Sequence, residues 1–377
     1  MKSTLTAVAA ALLSTTMGTT ALAQEVETER HTLSLETISE GLNHPWGIVF
    51  LPSGDMLVTE RSGTLNVITP DGKKTAIKGT PEVVAKSQGG LLDVNIDPNY
   101  ADNGWVYISY SEPDPDGGKG NSTAVMRGKI DGDNWTQGQV VFRQAPKYES
   151  NAHFGSRLIF SPEGHLFITL GDRYSRMQDA QTLDNHHGKV VRIWPDGSIP
   201  EDNPFVGQSD ALDEIWSYGH RNVQGAAIHP DTGELWTIEH GPQGGDEVNI
   251  PAAGKNYGWP TVTYGEDYGG GEIGIGTHKE GTEQPFYYWL PSIATAGSIF
   301  YTGDQFPHWK GDLLVTALRG QTIARLDLED GRVLHEERML EDATSFRIRD
   351  IEQGPDGFLY ILTDADSGQL IKLSPVK

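Results

Sequence analysis

The chain has 377 residues, no cysteine and a formal net charge of −23. It can form neither disulfides nor thiolate metal sites, and its field repels nucleic acid and anionic membrane surfaces. Hydrophobic content of 37% with 9 tryptophans supports a real core, and 45 glycines, well above the usual ~7%, predict many tight turns between short strands.

The first residues read as an export signal. Lys2 supplies a positive start, Leu5 to Leu13 an apolar core too short to span a bilayer, and Ala21-Leu22-Ala23 a small-residue cleavage site. The mature chain is expected to begin at Gln24, in the periplasm or outside the cell. No later stretch is apolar and long enough to cross a membrane, so membrane insertion is not expected. Leu33 to Ile38 alternates like a strand.

A repeat then begins. Its copies are Phe50 to Glu60 (FLPSGDMLVTE), Ile96 to Tyr110, Phe160 to Asp172 (FSPEGHLFITLGD), Ile228 to His240 (IHPDTGELWTIEH) and Gln353 to Asp364, with a weaker one from Tyr301 to Leu318. Each joins a turn rich in Pro and Gly to an apolar strand with a polar end, the pattern of a hairpin. From Pro52 to Pro355 the intervals average about 61 residues, room for a four-stranded blade and more than the roughly 40–45 of a WD40 repeat. The chain therefore predicts an all-β fold, a six-bladed β-propeller. A two-sheet sandwich is the alternative, and six spaced copies argue against it. Leu33 to Ile38 is expected to pair with the last blade and close the ring. With no Ser/Gly-rich linker, residues 24–377 are expected to form one domain. Asp114 to Asn121 and Tyr264 to Gly276 read as surface loops, or as lids beside a site.

Several polar groups are not required by the repeat. His153 stands just before the third copy, where the start of an inner strand points at the channel of a propeller, and an imidazole with a pKa near ~6.5 suits a general base. Arg221 and Asn222 precede another strand; the guanidinium fork suits carboxylate or carbonyl oxygens. Arg347 and Arg349 are two apart on a strand and share a face, so they need an anion between them, either a ligand or a neighbouring acid. Arg319 is a third cation of the same kind. Gly241-Pro242 and Asp246-Glu247 could offer oxygens to a hard cation.

The motifs HPWGIVFLPSGDMLVTER, QGGLLDVNIDP, HFGSRL, GKVVRIWPDGSIPEDNPF, SYGHRNVQG, HGPQGGDEVN, GKNYGWP and FRIRD occur in that order over nearly all of the chain after residue 23. As a set they resemble the soluble aldose sugar dehydrogenases dependent on pyrroloquinoline quinone, the glucose/sorbosone dehydrogenase family. The resemblance implies oxidation of the anomeric hydroxyl of an aldose, with His153 as base and Arg221 as a second catalytic residue. It implies that Gln88, Arg221, Asn222, Arg319, Arg347 and Arg349 contact the quinone. Gly241 and Pro242 would give backbone carbonyls to a Ca²⁺ that polarises it, and Glu247 and Tyr257 match a further, structural Ca²⁺ site. The partners implied are an aldose and an electron acceptor that no motif specifies. Ser156 stands where a glycine is expected, Ala152 departs from the Asp of the glucose-specific branch, and Arg319 aligns with Lys in some members. Two other functions suit a six-bladed propeller: a Ca²⁺-dependent lactonase-type hydrolase, which requires a central cage of Asp, Asn and Glu, and a non-enzymatic binding module.

Overall fold

The computed structural model describes residues 24–376; the export signal expected over residues 1–23 lies outside them. The strands form six antiparallel sheets arranged as a six-bladed β-propeller. The inner strands of blades one to six are Pro45–Phe50, Leu91–Ile96, Gly155–Phe160, Val223–Ile228, Thr295–Phe300 and Ile348–Gln353. Each packs against the next, and the last returns to the first. Each repeat copy covers the turn and second strand of one blade: Met56–Glu60, Val106–Pro113, Leu166–Leu170, Leu235–Glu239, Leu313–Ala317 and Leu359–Thr363.

The ring closes as the alternation of Leu33 to Ile38 predicts. Strand Thr32–Leu42 pairs antiparallel with the last long strand, Gly368–Pro375, setting Leu35 opposite Leu373. A further strand, Gln24–Glu27, pairs outside it and makes the closing sheet five-stranded. The core lies in layers between neighbouring blades. Leu57, Leu91 and Ile108 fill the layer between blades one and two; Trp236, Trp289 and Leu313 fill that between four and five. This explains why second strands such as Leu166–Leu170 are buried along their whole length: both faces of an internal blade meet another sheet.

Every inner strand slips register near its start, at Pro45/Ile48, Leu91/Val94, Gly155/Leu158, Val223/Gly225, Thr295/Ser298 and Ile348/Asp350. A bulge frees backbone groups that must find other partners. Hydroxyls on the second strands supply them. Thr59, Ser109 and Thr169 accept from the N–H groups of Gly47, Asp93 and Arg157, each at 2.9 Å. The same hydroxyls donate to the next blade, at Leu92, Ser156 and Val223.

The bulges aim residues at the channel axis, and a buried ion cluster plugs it there. The guanidinium of Arg157 lies 2.9 Å from Asp93 and 3.1 Å from Asp350 and donates to the Gln224 carbonyl. Asp93 also accepts from Leu158 N–H, and Asp350 from Ile48 N–H. The cluster therefore links blades one, two, three, four and six. Glycine is needed around it: a Cβ on Gly47 would stand 2.7 Å from the Asp93 carboxylate, and one on Gly297 2.0 Å from that of Asp350. Replacing Arg157 with Ala leaves two buried carboxylates without their cation, and is expected to cost roughly 3–5 kcal/mol in urea unfolding.

Candidate active site

In each blade the inner strand runs away from one face of the ring and the second strand returns to it. The first residues of inner strands and the last residues of second strands therefore meet on that face. Backbone bonds tie the two together, from Arg61 to His44, His240 to Asn222, Leu318 to Ala294 and Asp364 to Arg347. The residues gathered this way build two adjoining cavities and a small void.

The first cavity, about 380 Å³, is lined by His44, Trp46, Arg61, Gln88, Gln224, His240, Ala294, Leu318, Arg347, Arg349 and Asp364. It brings Gln88, Arg347 and Arg349 together. The anion between the two arginines is Asp364, 3.6 Å from Arg347, 3.1 Å from Arg349 and 3.6 Å from Arg61. His44 Nδ1 also lies 2.7 Å from it. Burial opposes the charge on Asp364, but Arg349, His44 and Arg61 outweigh it and hold the carboxyl well below its usual range. Three guanidinium groups face one carboxylate, so the pocket is cationic within a strongly acidic protein. Arg319 is exposed; its neighbour Leu318 lines the cavity instead.

His153 lines the second cavity, about 200 Å³, with Tyr174, Met177, Arg221, Pro242, Trp259, Asp267, Tyr268 and Ile273. Its Nδ1 is 2.6 Å from Asp172, which is fully buried. A carboxylate only accepts, so the proton sits on Nδ1 and the Nε2 lone pair is free. Asp172 also accepts from Trp259 Nε1–H and Tyr174 N–H, both at 2.7 Å. Burial lowers the pKa of His153; Asp172 opposes this, while Arg221 and Arg173 add to it. The ring is neutral at pH 7. Gln88 joins the two cavities, accepting the His153 backbone N–H at 2.8 Å.

The strand entry around His153 is held in unusual backbone. His153, Gly155 and Ser156 have φ of 53, 63 and 89°, the left-handed region that favours glycine. The buried Ser156 hydroxyl meets Thr123 Oγ1 at 3.2 Å and donates to the Phe154 carbonyl at 3.2 Å.

Arg221 bridges the second cavity and the small void. Its Nη1 donates to the carbonyls of Gly241 and His240, at 2.7 and 3.1 Å. The void, about 10 Å³, is lined by Glu239, Gly241, Glu247 and Tyr257 among others, and is the size of one water or ion. Glu239 and Glu247 are opposite one another on paired strands. Burial, and then the Glu239 charge, push Glu247 up to about 8. Asp246 plays a different part. It accepts from Gly241 N–H, Ala294 N–H and the Ser292 hydroxyl, which fixes the Gly241-Pro242 turn. Among the described residues no three His, Asp or Glu side chains are arranged to hold a metal. At the channel centre, where a lactonase-type hydrolase needs an acid cage, the Arg157 guanidinium stands between two aspartates.

Around these cavities the buried polar atoms with no partner among the described residues include Nε of Arg61, Arg221 and Arg349, and Nδ2 of Asn222. Asn222 is otherwise engaged, its Oδ1 accepting from Gly155 N–H at 3.1 Å. Buried donors are normally satisfied, so this group is set up for an acceptor-rich ligand. Sequence reasoning missed His44, Arg61, Gln224, His240 and Asp364 as lining residues. Their signal is position: Arg61, His240 and Asp364 stand at or just after the polar ends of repeat copies.

A fold of six blades with a cationic cavity beside a carboxylate-held histidine defines the class of protein that the comparisons then narrow. The family described as Glucose / Sorbosone dehydrogenase matches residues 42–372. The aldose sugar dehydrogenase YliI of Escherichia coli K12 is 45% identical over 350 residues, covering 91% of this chain and 93% of that protein. The quinoprotein glucose dehydrogenase B of Acinetobacter calcoaceticus is 27% identical over 408 residues, covering 87% and 85%. The apo-form of the soluble aldose sugar dehydrogenase from Escherichia coli superposes with a TM-score of 0.87 at 44% identity, over 91% of this chain and 100% of that one. The aldose sugar dehydrogenase from Streptomyces coelicolor in its PQQ-bound form gives 0.75 at 27% identity, over 92% and 100%. The chain belongs to the glucose/sorbosone dehydrogenase family.

Asp364 gives the site a test that needs no ligand. Asp364→Asn leaves three guanidinium groups without their counter-charge and is expected to cost roughly 2–5 kcal/mol at pH 7. Because the folded carboxyl is depressed, its contribution is complete above the unfolded pKa of ~3.9 and is lost as pH falls below it. Denaturation of wild type and variant should therefore converge in acid.

Proposed function

We propose that the protein is an aldose sugar dehydrogenase that oxidises the anomeric hydroxyl of its substrate to a lactone, with pyrroloquinoline quinone as cofactor. The observation that carries this reading is the meeting of a surplus of guanidinium groups with a neutral histidine held on a buried carboxylate. The quinone has three carboxylates and carbonyl oxygens, the acceptors that the unpartnered donors of Arg61, Arg221, Arg349 and Asn222 call for, so these residues fit it. Gln88, Arg221, Asn222, Arg347 and Arg349 would hold it, with Arg319 at the rim. When bound, the quinone supplies a two-electron acceptor for the hydride that leaves the anomeric carbon.

His153 removes the proton of the anomeric hydroxyl through Nε2. Asp172 keeps the ring in the required tautomer and stabilises the imidazolium that forms. Arg221, pinned to two carbonyls and set beside Trp259, presents a fixed positive charge in the same cavity. Trp259 and Pro242 narrow the space around His153 and restrict water. Ca²⁺ on the Gly241 and Pro242 carbonyls would supply Lewis-acid polarisation; the Gly241 oxygen keeps one lone pair beyond the bond from Arg221. The void between Glu239, Glu247 and Tyr257 suits a second Ca²⁺, which would offset the burial and the Glu239 repulsion that raise Glu247. Residues 1–23 would direct export, so that a single propeller of residues 24–377 works in the periplasm or outside the cell, passing electrons to an acceptor there.

Aldose-dependent dye reduction tests the reading. Activity should need Ca²⁺ and the quinone together, and His153→Ala should lower kcat by roughly 10²–10⁴. No oxidation of any aldose, together with no quinone binding in an absorbance titration, would overturn it. Because the His153 pKa is lowered, the neutral base persists as pH falls through ~6.5, and the acid limb of kcat/KM should lie below that value. Ca²⁺ at about 100 times its dissociation constant should add about 2.7 kcal/mol per site to stability, and Glu247→Gln should remove the share of the second site.

A further inference from the structure

Beside His153 the backbone does something that the assigned roles do not require. Arg173 and Tyr174 are consecutive non-glycine residues with φ of 59 and 67°, a conformation that costs bulky residues energy and persists only where the surroundings impose it. The surroundings do impose it. Arg173 is fully buried; its guanidinium donates to the carbonyls of Ala152 and Ser150 and to Asn121 Oδ1, at 2.8, 2.5 and 2.7 Å, and lies 3.7 Å over the Phe154 ring. Tyr174 N–H is held by Asp172 Oδ1, the same oxygen that holds His153 Nδ1.

All this fixed structure carries a side chain that is itself 56% exposed. The Tyr174 ring meets His153 edge-on, with centroids 5.2 Å apart and planes at 74°, and lines the His153 cavity. An exposed aromatic gains little from its own burial, so the strain does not serve packing. It sets the backbone from which the ring projects next to the base.

We propose that Tyr174 is a specificity-determining residue: its ring is a platform for the apolar C–H face of a cyclic aldose, setting the anomeric hydroxyl toward His153. A pyranose has an apolar face and a hydroxyl-bearing edge. A rigid aromatic with few rotatable bonds suits such a face at low entropic cost. Because one carboxylate oxygen holds both the His153 ring and the Tyr174 backbone N–H, the root of the platform is set relative to the base. Tyr268, 61% exposed on the Tyr264 to Gly276 loop, lines the same cavity and would form a second wall. This inference rests on the aldose dehydrogenase reading.

The test is Tyr174→Gly, with Tyr174→Phe, in the Ca²⁺- and quinone-loaded enzyme. Glycine accepts a φ of 67° without strain, so the Gly variant should keep or raise the Tm while KM for a pyranose aldose rises roughly tenfold. Quinone affinity, read by absorbance titration, and the acid limb set by His153 should not change. The Phe variant should keep a KM within about twofold, since the ring face remains. An unchanged KM in the Gly variant overturns the inference, as does a fall in Tm, which would mark Tyr174 as structural. A Phe variant as impaired as Gly also overturns it, because the hydroxyl would then be the contact. Wild-type protein that neither binds the quinone nor oxidises an aldose overturns the function itself, and the inference with it.

Discussion

The structure depends on the ion cluster at its axis. Arg157, Asp93 and Asp350 come from three different blades, and their backbone partners bring in two more. A propeller has no single core; its apolar layers lie between pairs of blades, and each layer fixes only its two neighbours. The axial cluster is where five blades meet at once. Burying three ionised groups carries a large desolvation cost, offset only when the geometry is good and the remaining oxygens are hydrogen-bonded. Burial pushes Asp93 up to about 7 and raises Asp350, with the Arg157 charge acting against it in both. The cluster is thus a device for register more than a source of net stability, and it seals the channel below the cavities.

The bulges that aim these residues inward also shape the site. A regular inner strand would keep its ladder to the end and point its first residues at the neighbouring strand. The slip after Gly155 instead separates His153 and Phe154 from the regular run, and left-handed backbone turns His153 toward Asp172. Gly171 allows this approach: a Cβ there would stand 2.2 Å from the His153 carbonyl. Asp172, His153 and the Tyr174 backbone are one hydrogen-bonded unit.

Electrostatics divides the molecule. The surface charge of an acidic protein would repel an anionic ligand at long range, so a cationic pocket must act locally, where a low dielectric strengthens it. Asp364 moderates Arg61, Arg347 and Arg349 without neutralising them. Near the void the pattern reverses. Among the described residues Glu239 accepts from Arg221 N–H, His220 Nδ1 and Asn249 Nδ2, but Glu247 accepts only from Asn249, and a buried like-charge pair favours either a proton or a cation. His240 lines both the cationic cavity and the acidic void.

Much of this was legible in the chain. Six hairpin copies read as six blades because a turn rich in Pro and Gly between apolar runs has few other solutions, and Leu33 to Ile38 read as the closing strand because alternation needs a partner on one edge. The pairing of Arg347 with Arg349 was visible from strand periodicity, as was the need for an anion between them. That Asp364 is this anion was not: fifteen positions and a hairpin separate it from Arg349, and only the antiparallel return of the second strand brings it back. The same holds for Asp172 and His153, for Arg61, and for Arg157 between two aspartates. Asp246 and Glu247 are neighbours in the chain and look alike there, yet one orders a turn and the other faces a void, because successive strand residues point to opposite faces. Local pattern sets the blade; which polar side chains meet depends on how six blades close around an axis, and no single blade contains that information.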